Sequence, residues 1–328
     1  MLFVDNRNIH DPSLNLALEE YILRKLPEHN DYLLFYINGP SVIIGKNQNT
    51  VEEINAEYVE ANGIQVVRRL SGGGAVYHDT GNLNFSFITK DDGQSFRNYR
   101  KFTEPVIKAL HSLGVEAELT GRNDIQVGER KISGNAQFAT RGRMFTHGTL
   151  LFNSNIEHVS SALNVNPEKF KSKSTKSVRS RVANISEFLS ESLTVEQFKA
   201  KLLEAIYNGK DATSYELDEA DWEGVLQIAE RRYRNWDWNY GRSPAFNMRQ
   251  VKRFSAGTFD ARLNVIDGKI AEAVVYGDFF GLGEVSEVTE KLIGVRYDAD
   301  AVKDALAGSD ISYTFGPITM EEFLSLLF

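Results

Sequence analysis

The first part of the chain alternates between two hydrophobic periods. Apolar residues recur at helical spacing over 14–22. They follow Asp11-Pro12, a pair that suits the N-cap and first position of a helix. We therefore predict an amphipathic helix to about residue 26. Residues 32–37 and 41–44 are short apolar runs on either side of Asn38-Gly39-Pro40, a pattern that indicates two strands joined by a turn.

The same reasoning predicts the remaining elements of the first 240 residues. Residues 50–53 read as a capping box that opens a helix ending at Asn62-Gly63. Gly128-Glu129 fits the turn of a hairpin that presents Lys131. Other helices are predicted over about 102–113, 155–163, 195–206 and 218–234, and other strands over 64–68, 83–88, 115–119, 125–127, 131–138 and 145–152. Adjacent strands with flanking helices indicate an α+β fold.

A domain boundary is predicted where Gly and Pro interrupt helical periodicity, within residues 236–249. We place it between a large domain, 1–245, and a small one, 246–328. In the small domain, strands over 255–265 and 269–276 flank a strong hairpin signal, Asp-Gly. Two or three short helices are expected to close the chain.

Composition narrows the class of protein. The 328 residues include 37 basic and 45 acidic side chains, for a net charge of −8, which argues against nucleic acid as a partner. The N-terminus lacks the pattern of a signal peptide, and no apolar run approaches the roughly 20 residues that span a bilayer, so we expect no membrane partner and a cytoplasmic location. The chain has no cysteine, which excludes disulfides, thiolate metal sites and a cysteine thioester intermediate.

Three consecutive glycines, Gly72-Gly73-Gly74, follow Arg68-Arg69 between two strand-like runs. Glycine within an element costs roughly 0.5 to 1 kcal/mol relative to alanine, so a triplet indicates close approach of the backbone to a ligand. Guanidinium groups beside freed backbone N–H groups suit phosphate or carboxylate oxygens. The alternative is a flexible turn between two strands.

The sequence around this triplet resembles a known family. Residues 68–79 read Arg-Arg-Leu-Ser-Gly-Gly-Gly-Ala-Val-Tyr-His-Asp, and with 81–87 they resemble the signature of the lipoate-protein ligase A family. Residues 121–125 with 130–136 are similar to its second motif, and 147–153 and 176–182 to two further blocks in the same order. The resemblance implies a large mixed-sheet catalytic domain of the biotin/lipoate ligase type. It also implies a small α+β C-terminal accessory domain that closes over the site or reorients between half-reactions.

The resemblance also implies roles for individual residues. Lys131 is expected to contact the acyl carbonyl and the α-phosphate and to act in catalysis, whereas without the motif it would be a solvated edge lysine. Asp124 is a candidate Mg²⁺ ligand, or else a plain surface-turn aspartate. Other expected contacts are with the ATP or adenylate for Arg69, Gly74, Ala75, Val76, Tyr77 and Asn123, and with the acyl head for Ser71, Gly72 and Gly73.

Residues 169–181 carry six basic side chains and no acidic one, in a chain that is acidic as a whole. The run is either a solvated flexible loop, a segment that orders over the anionic adenylate, or a surface that steers an acidic protein partner. The resemblance favours the second, with Lys173 and Lys176 as contacts.

Other candidate motifs fail. Gly45-Lys46 lacks the preceding glycine and the following Ser or Thr of a P-loop, and the region from Gly281 lacks the third glycine of a dinucleotide fingerprint. The histidines show no metal-binding spacing. His78 beside Asp79 is either a general base or a hydrogen-bonded structural pair that braces the glycine loop, and we favour the pair.

The implied activity is ATP-dependent. Lipoate would be activated to lipoyl-AMP and then transferred to a lysine of lipoyl-domain acceptor proteins, such as E2 subunits of 2-oxoacid dehydrogenases or the glycine cleavage H protein, with octanoate accepted more slowly. The alternatives are a biotin ligase, a noncatalytic lipoyl- or adenylate-binding protein, and an octanoyl or lipoyl transferase. The lack of cysteine disfavours the transferase.

Overall fold

The computed structural model describes residues 1–163, 181–240, 247–266 and 268–328, with only the backbone of residues 51 and 52. The described strands are β1 (Leu2–Asp5), β2 (Tyr32–Ile37), β3 (Ser41–Ile44), β4 (Gln65–Arg68), β5 (Val76–His78), β6 (Asn82–Lys90), β7 (Ala117–Thr120), β8 (Asp124–Val127), β9 (Arg130–Thr140), β10 (Arg143–Leu151), β11 (Ser214–Tyr215), β12 (Met248–Phe254), β13 (Gly257–Ile266) and β14 (Lys269–Gly277).

Twelve α-helices are described in these ranges. They are α1 (Pro12–Lys25), α2 (Thr50–Glu53), α3 (Ala56–Ala61), α4 (Tyr99–Ser112), α5 (Ile156–Ala162), α6 (Val195–Ile206), α7 (Glu219–Ile228), α8 (Trp236–Asn239), α9 (Val285–Thr289), α10 (Ala299–Ala305), α11 (Ile311–Phe315) and α12 (Met320–Leu327). Short 3₁₀ segments cover Ile185–Phe188 and Glu290–Leu292, and a π-helical segment covers Ala229–Tyr233. Within the part of the chain described, no helix is both long and apolar enough to span a bilayer.

The chain divides into two units that are not each continuous in sequence. The first contains 1–43, 51–68 and 76–239, and the second contains 44–50, 69–75 and 240–328. The glycine loop therefore groups with the C-terminal part of the chain. The predicted boundary between 245 and 246 lies outside the described residues and stays a prediction.

The first unit is built on an eight-stranded sheet in the order β11-β1-β2-β6-β10-β9-β8-β7. β1 runs parallel to β2 and β11, and the other neighbours are antiparallel. A smaller sheet has the order β4-β3-β5. Mixed strand directions with separate helices confirm the α+β prediction.

The first helix begins as its sequence predicts but is not amphipathic. The Asp11 side chain accepts a bond from the Ser13 N–H at 2.8 Å, and Pro12 takes the first position. Glu19 and Glu20 are also buried: Glu19 faces His147 at 2.9 Å, and Glu20 accepts a bond from the Tyr233 hydroxyl at 2.9 Å. The amphipathic interpretation was wrong because partners distant in sequence satisfy these carboxylates.

Several other predictions need correction. The helix predicted from 50 is two helices, since Asn55 caps a second one by accepting a bond from the Tyr58 N–H. The helix predicted over 218–234 changes to π geometry after Ile228. Strands β1, β11 and β12 were not predicted; each is short or carries polar residues, and its hydrogen bonds come from neighbouring strands.

The second unit contains the antiparallel sheet β12-β13-β14 and four closing helices rather than two or three. Its core is aromatic. The rings of Phe259 and Phe279 stack at 4.5 Å, and Phe315 packs against both rings and against Phe323. This core continues to the residues that contact the glycine loop, because Phe280 follows Phe279 directly.

Candidate active site

Lys131 lies at the start of β9, just after the turn that joins β8 to β9. Gly128 adopts φ +59° in that turn, a conformation that glycine accepts without strain. The hairpin prediction is confirmed. The Lys131 ammonium lies 2.8 Å from Asp124 Oδ1, and the two side chains are 35% and 34% exposed. A pair this exposed contributes about 1 kcal/mol or less to stability, so its main effect is on orientation.

A β-bulge determines where the Lys131 side chain lies. Asp124 pairs with Gly134 across the two strands, but the register shifts between Ile125 and Gln126, which pairs with Lys131. The lysine therefore extends over Gly134. A Cβ atom built on Gly134 would lie 2.9 Å from Lys131 Nζ and 3.1 Å from its Cε.

The start of β9 around Lys131 is held by hydrogen bonds between main-chain and side-chain groups. The Asn123 side-chain amide donates to the Asn135 carbonyl at 2.5 Å, and the Asn135 N–H donates to the Asn123 carbonyl at 3.0 Å. The Gly134 N–H donates to Thr149 Oγ1 at 3.2 Å. In this structure Asn123 holds the two strands together, and its predicted contact with ATP stays a prediction.

The segment after residue 180 also reaches Lys131. The Ala183 N–H donates to the Lys131 carbonyl at 3.0 Å. Arg130 lies 2.6 Å from Glu187 and 4.7 Å from the centre of the Phe188 ring. Burial alone would raise the pKa of Glu187, but the bond from the Asn184 N–H and the Arg130 guanidinium lower it. The predicted contacts Lys173 and Lys176 lie outside the described residues.

In the second unit, Arg69 is bonded to the glycine loop itself. Its Nη2 donates to the carbonyls of Gly72 and Gly74 at 2.7 and 2.8 Å, and its Nε donates to Ser71 Oγ at 3.0 Å. Arg69 is buried. The guanidinium predicted to bind phosphate thus organises the loop carbonyls here, and its contact with ATP remains a prediction.

The three glycines differ in what surrounds them. A Cβ atom on Gly72 would lie 2.3 Å from the Phe279 carbonyl oxygen, and one on Gly73, whose φ is +93°, would lie 2.7 Å from the Phe280 ring. Among the described residues, a Cβ atom on Gly74 would meet nothing within 4 Å. Packing in the second unit therefore accounts for the first two glycines and does not account for the third.

Val76 and Tyr77 belong to the first unit, in β5. The Tyr77 ring stacks on His158 with centroids 5.8 Å apart, and His158 Nδ1 lies 2.8 Å from the Tyr58 hydroxyl. Burial, with the Asp79 charge, raises the pKa of Tyr77 to about 12. The ring packs against His158, and the predicted nucleotide contacts of Ala75, Val76 and Tyr77 stay predictions.

Three residues next to the glycine loop, Arg68, His78 and Asp79, bond to other parts of the first unit. Arg68 donates from Nε to the Trp238 carbonyl at 2.8 Å. His78 Nδ1 lies 3.0 Å from the Asn38 amide. Asp79 accepts bonds from the main-chain N–H groups of residues 81 and 155. His78 and Asp79 thus each contact other parts of the first unit, and their predicted role as a pair that braces the glycine loop stays a prediction.

The fit of Mg²⁺ to Asp124 can be tested on its neighbours. Asp124 Oδ1 already accepts a bond from the Lys131 ammonium. Across the described ranges, no three acidic, histidine or cysteine side chains are grouped as a metal site. Magnesium binds through one or two carboxylates together with substrate phosphates, so these residues do not make a metal site by themselves.

The structure brings together some of the predicted site residues. Lys131, Asp124 and Asn123 are neighbours in the first unit, whereas Arg69, Ser71 and the glycines form one cluster in the second. Sequence reasoning missed Gly134 as the residue over which Lys131 lies. The motif that contains it was identified, but no pattern reveals that a bulge turns the lysine onto this glycine.

Two family models match this chain. Residues 11–207 match a model described as the lipoyl protein ligase A/B catalytic domain. Residues 243–327 match a model described as the bacterial lipoate protein ligase C-terminus. Together the two matches include the β8–β9 hairpin, the glycine loop and the aromatic core.

Two of three similar proteins match over nearly the whole chain. The chain is 60% identical over 331 residues to lipoate-protein ligase LplJ of Bacillus subtilis (strain 168), with 100% of both covered. P. falciparum LipL1, solved with lipoate, matches with a TM-score of 0.80 at 25% identity, covering 99% of this chain and 98% of that one. A lipoate-protein ligase A bound with ATP matches with a TM-score of 0.62 at 29% identity, covering 74% of this chain and 97% of that one.

Proposed function

The chain belongs to the lipoate-protein ligase family, and we propose that it joins lipoate to a lysine of an acceptor protein in two steps driven by ATP. In the first step a lipoate carboxylate oxygen attacks the α-phosphorus of ATP, which forms lipoyl-AMP and releases pyrophosphate. In the second step the ε-amine of the acceptor lysine attacks the acyl carbonyl. An amide forms, the amine loses a proton, and AMP leaves.

The observation that carries this proposal is the position of Lys131. Its ammonium is partly exposed and directed by Asp124, on a strand whose start is held by the bond from the Asn123 side-chain amide to the Asn135 carbonyl. The first step builds negative charge on the phosphoryl oxygens. A fixed cation at about 4 Å from one of them contributes roughly 4 kcal/mol at an effective dielectric near 20.

The lack of cysteine supports a ligase over a transferase of the same family. Transfer through a thioester requires a thiol, and none exists among the 328 residues. A carboxylate is a poor acyl donor, so activation must come from another source. ATP supplies it in this proposal, with Mg²⁺ accompanying the phosphates.

The finer features of the reaction are part of the same proposal. The acceptors are lipoyl domains of E2 subunits or the glycine cleavage H protein, and the reaction takes place in the cytoplasm. Octanoate is accepted at a lower rate, because apolar pockets discriminate small differences by only about 1 to 3 kcal/mol. The large domain, 1–245, carries both chemical steps, and the small domain, 246–328, assists them.

The experiment is exchange of labelled pyrophosphate into ATP, with lipoate, octanoate or biotin and no acceptor protein. Lipoate-dependent exchange, weaker with octanoate and absent with biotin, is the expected result. Exchange with biotin alone would favour a biotin ligase. Lipoate binding without exchange in any arm would identify a noncatalytic binding protein and overturn the proposal.

A further inference from the structure

The position of the Lys131 side chain is set by two residues, Gly134 and Asp124, whose roles the proposed function does not explain. Gly134 lies directly opposite Asp124 in the antiparallel pair. The Lys131 side chain crosses the space where a Gly134 side chain would be and ends 2.8 Å from the Asp124 carboxylate. The bulge between Ile125 and Gln126 brings all three onto one face.

A side chain on Gly134 would meet the Lys131 side chain. Among the described residues beyond its two chain neighbours, a Cβ atom placed on Gly134 would have only Nζ and Cε of Lys131 within 4 Å. The φ of Gly134 is not in the left-handed region. The strand therefore tolerates alanine at this position, and the lysine must move.

The environment of Asp124 gives it a role as well. Its carboxylate is one-third exposed, and its Oδ1 already accepts a bond from the Lys131 ammonium. A single carboxylate in an ion pair holds a flexible four-carbon side chain in one orientation. The Lys131 ammonium keeps that orientation only while it is bonded to the Asp124 carboxylate.

We propose that Gly134 and Asp124 are positioning residues that seat the Lys131 ammonium for adenylate formation, and that Asp124 acts on the lysine rather than as a metal ligand. The proposal rests on the function proposed above. Neither residue needs to touch substrate. Both act by placing the Lys131 ammonium, and misplacement by about 1 Å can cost on the order of 100-fold in rate.

The test is a double-mutant cycle on pyrophosphate exchange. Gly134→Ala is expected to lower kcat about 10- to 100-fold in the wild-type background while changing KM for ATP little. In a Lys131→Ala background the same substitution should change the residual rate by less than about twofold, because effects that act through one residue are not additive. An equal loss in both backgrounds would show that Gly134 does not act through Lys131 and would overturn the proposal.

Asp124 is tested in the same cycle with two variants. Asp124→Asn keeps an oxygen that accepts from the ammonium, so it should retain more activity than Asp124→Ala. The Mg²⁺ concentration for half-maximal rate should be unchanged in both. A rise in that concentration, with the loss persisting in the Lys131→Ala background, would assign Asp124 to the metal and overturn its role as a seat.

Matched controls separate positioning from general damage. Glu104→Gln removes a carboxylate from an exposed pair with Lys108 at the same 2.8 Å distance, and Gly39→Ala places a methyl group where the nearest atom is 3.5 Å away. Both should leave exchange unchanged.

If the residual rate of Lys131→Ala is too low to measure, calorimetric affinities for a non-hydrolysable acyl-adenylate analogue complete the double-mutant cycle. Lack of exchange by the wild-type protein would instead reject the proposed function.

Discussion

The β8–β9 hairpin and the glycine loop both match motifs of one family, yet they use their residues differently. In the hairpin, the functional groups of Lys131 and Asp124 remain about one-third exposed. In the glycine loop, Arg69 is buried and bonded to the loop's own carbonyls, and Gly72 and Gly73 pack against residues 279 and 280. A motif therefore groups residues that belong together without saying which of them serve a ligand.

The difference follows from the kind of group each region offers. The hairpin presents a charged side chain, which needs solvent or a partner and is placed by a few local bonds. The loop presents main-chain atoms, which need a rigid frame. Arg69 and the residues after β14 provide that frame, and Gly74 is the position of the triplet that the frame leaves open.

The largest expected effect is at the hairpin. Lys131→Ala should lower lipoate-dependent adenylation by at least about 100-fold, the scale of a single electrostatic donor in a transition state. Lys108→Ala, at an exposed helical position, is the control. The rate is measured as initial pyrophosphate exchange at saturating ATP and lipoate. Turnover like that of the wild type would remove Lys131 from catalysis and erase the contrast between the two regions.

The next effect is on stability in the glycine loop. Gly72→Ala should destabilise the protein by about 1 to 3 kcal/mol, because the new methyl group meets the Phe279 carbonyl, which cannot rotate away. Chemical unfolding followed by tryptophan fluorescence and hydrogen exchange over 248–328 measures it. An unchanged midpoint with unchanged exchange would show that the loop is not framed by residue 279.

Gly74→Ala should give the opposite result. Its methyl group meets no atom of the described residues within 4 Å and its φ is not left-handed, so stability should stay within about 0.5 kcal/mol of the wild type, as at ordinary surface sites. Adenylation should fall about tenfold, since an added Cβ blocks close approach of a ligand to the backbone. Full activity would mean that the third glycine, too, serves something other than the ligand.

Sequence alone predicted the parts of this site that depend on neighbouring residues. The turn at residue 128 and the hairpin follow from local patterns, and the candidate role of Lys131 comes from the resemblance of the surrounding motif to a known family. The bulge after Ile125 does not, because register depends on which strands pair. Likewise, the buried carboxylates of Glu19 and Glu20 are satisfied by residues 128 and 213 positions away, and no periodicity within α1 indicates them.

The smallest expected effect concerns a second ion pair, that of Asp260 in the second unit. Asp260 accepts bonds from Arg249 and Arg262 and is 14% exposed. Burial alone would raise the pKa of Asp260, but the two guanidinium groups outweigh it and lower the pKa. Because the folded-state pKa lies below the unfolded one, its stabilisation is present above about pH 4 and is lost as the pH falls through the lowered value.

Asp260→Asn should therefore destabilise the protein by on the order of 1 kcal/mol at pH 7, since Arg249 is largely exposed. The difference from the wild type should shrink as the pH falls below about 4. Unfolding midpoints from pH 7 to pH 3 measure it, with Glu191→Gln, at an exposed pair with Lys201 in the first unit, as a control. A difference that stays constant with pH would show that the carboxylate charge does not hold these strands together. Asp260 would then resemble Asp124, whose pair directs a side chain and adds little stability.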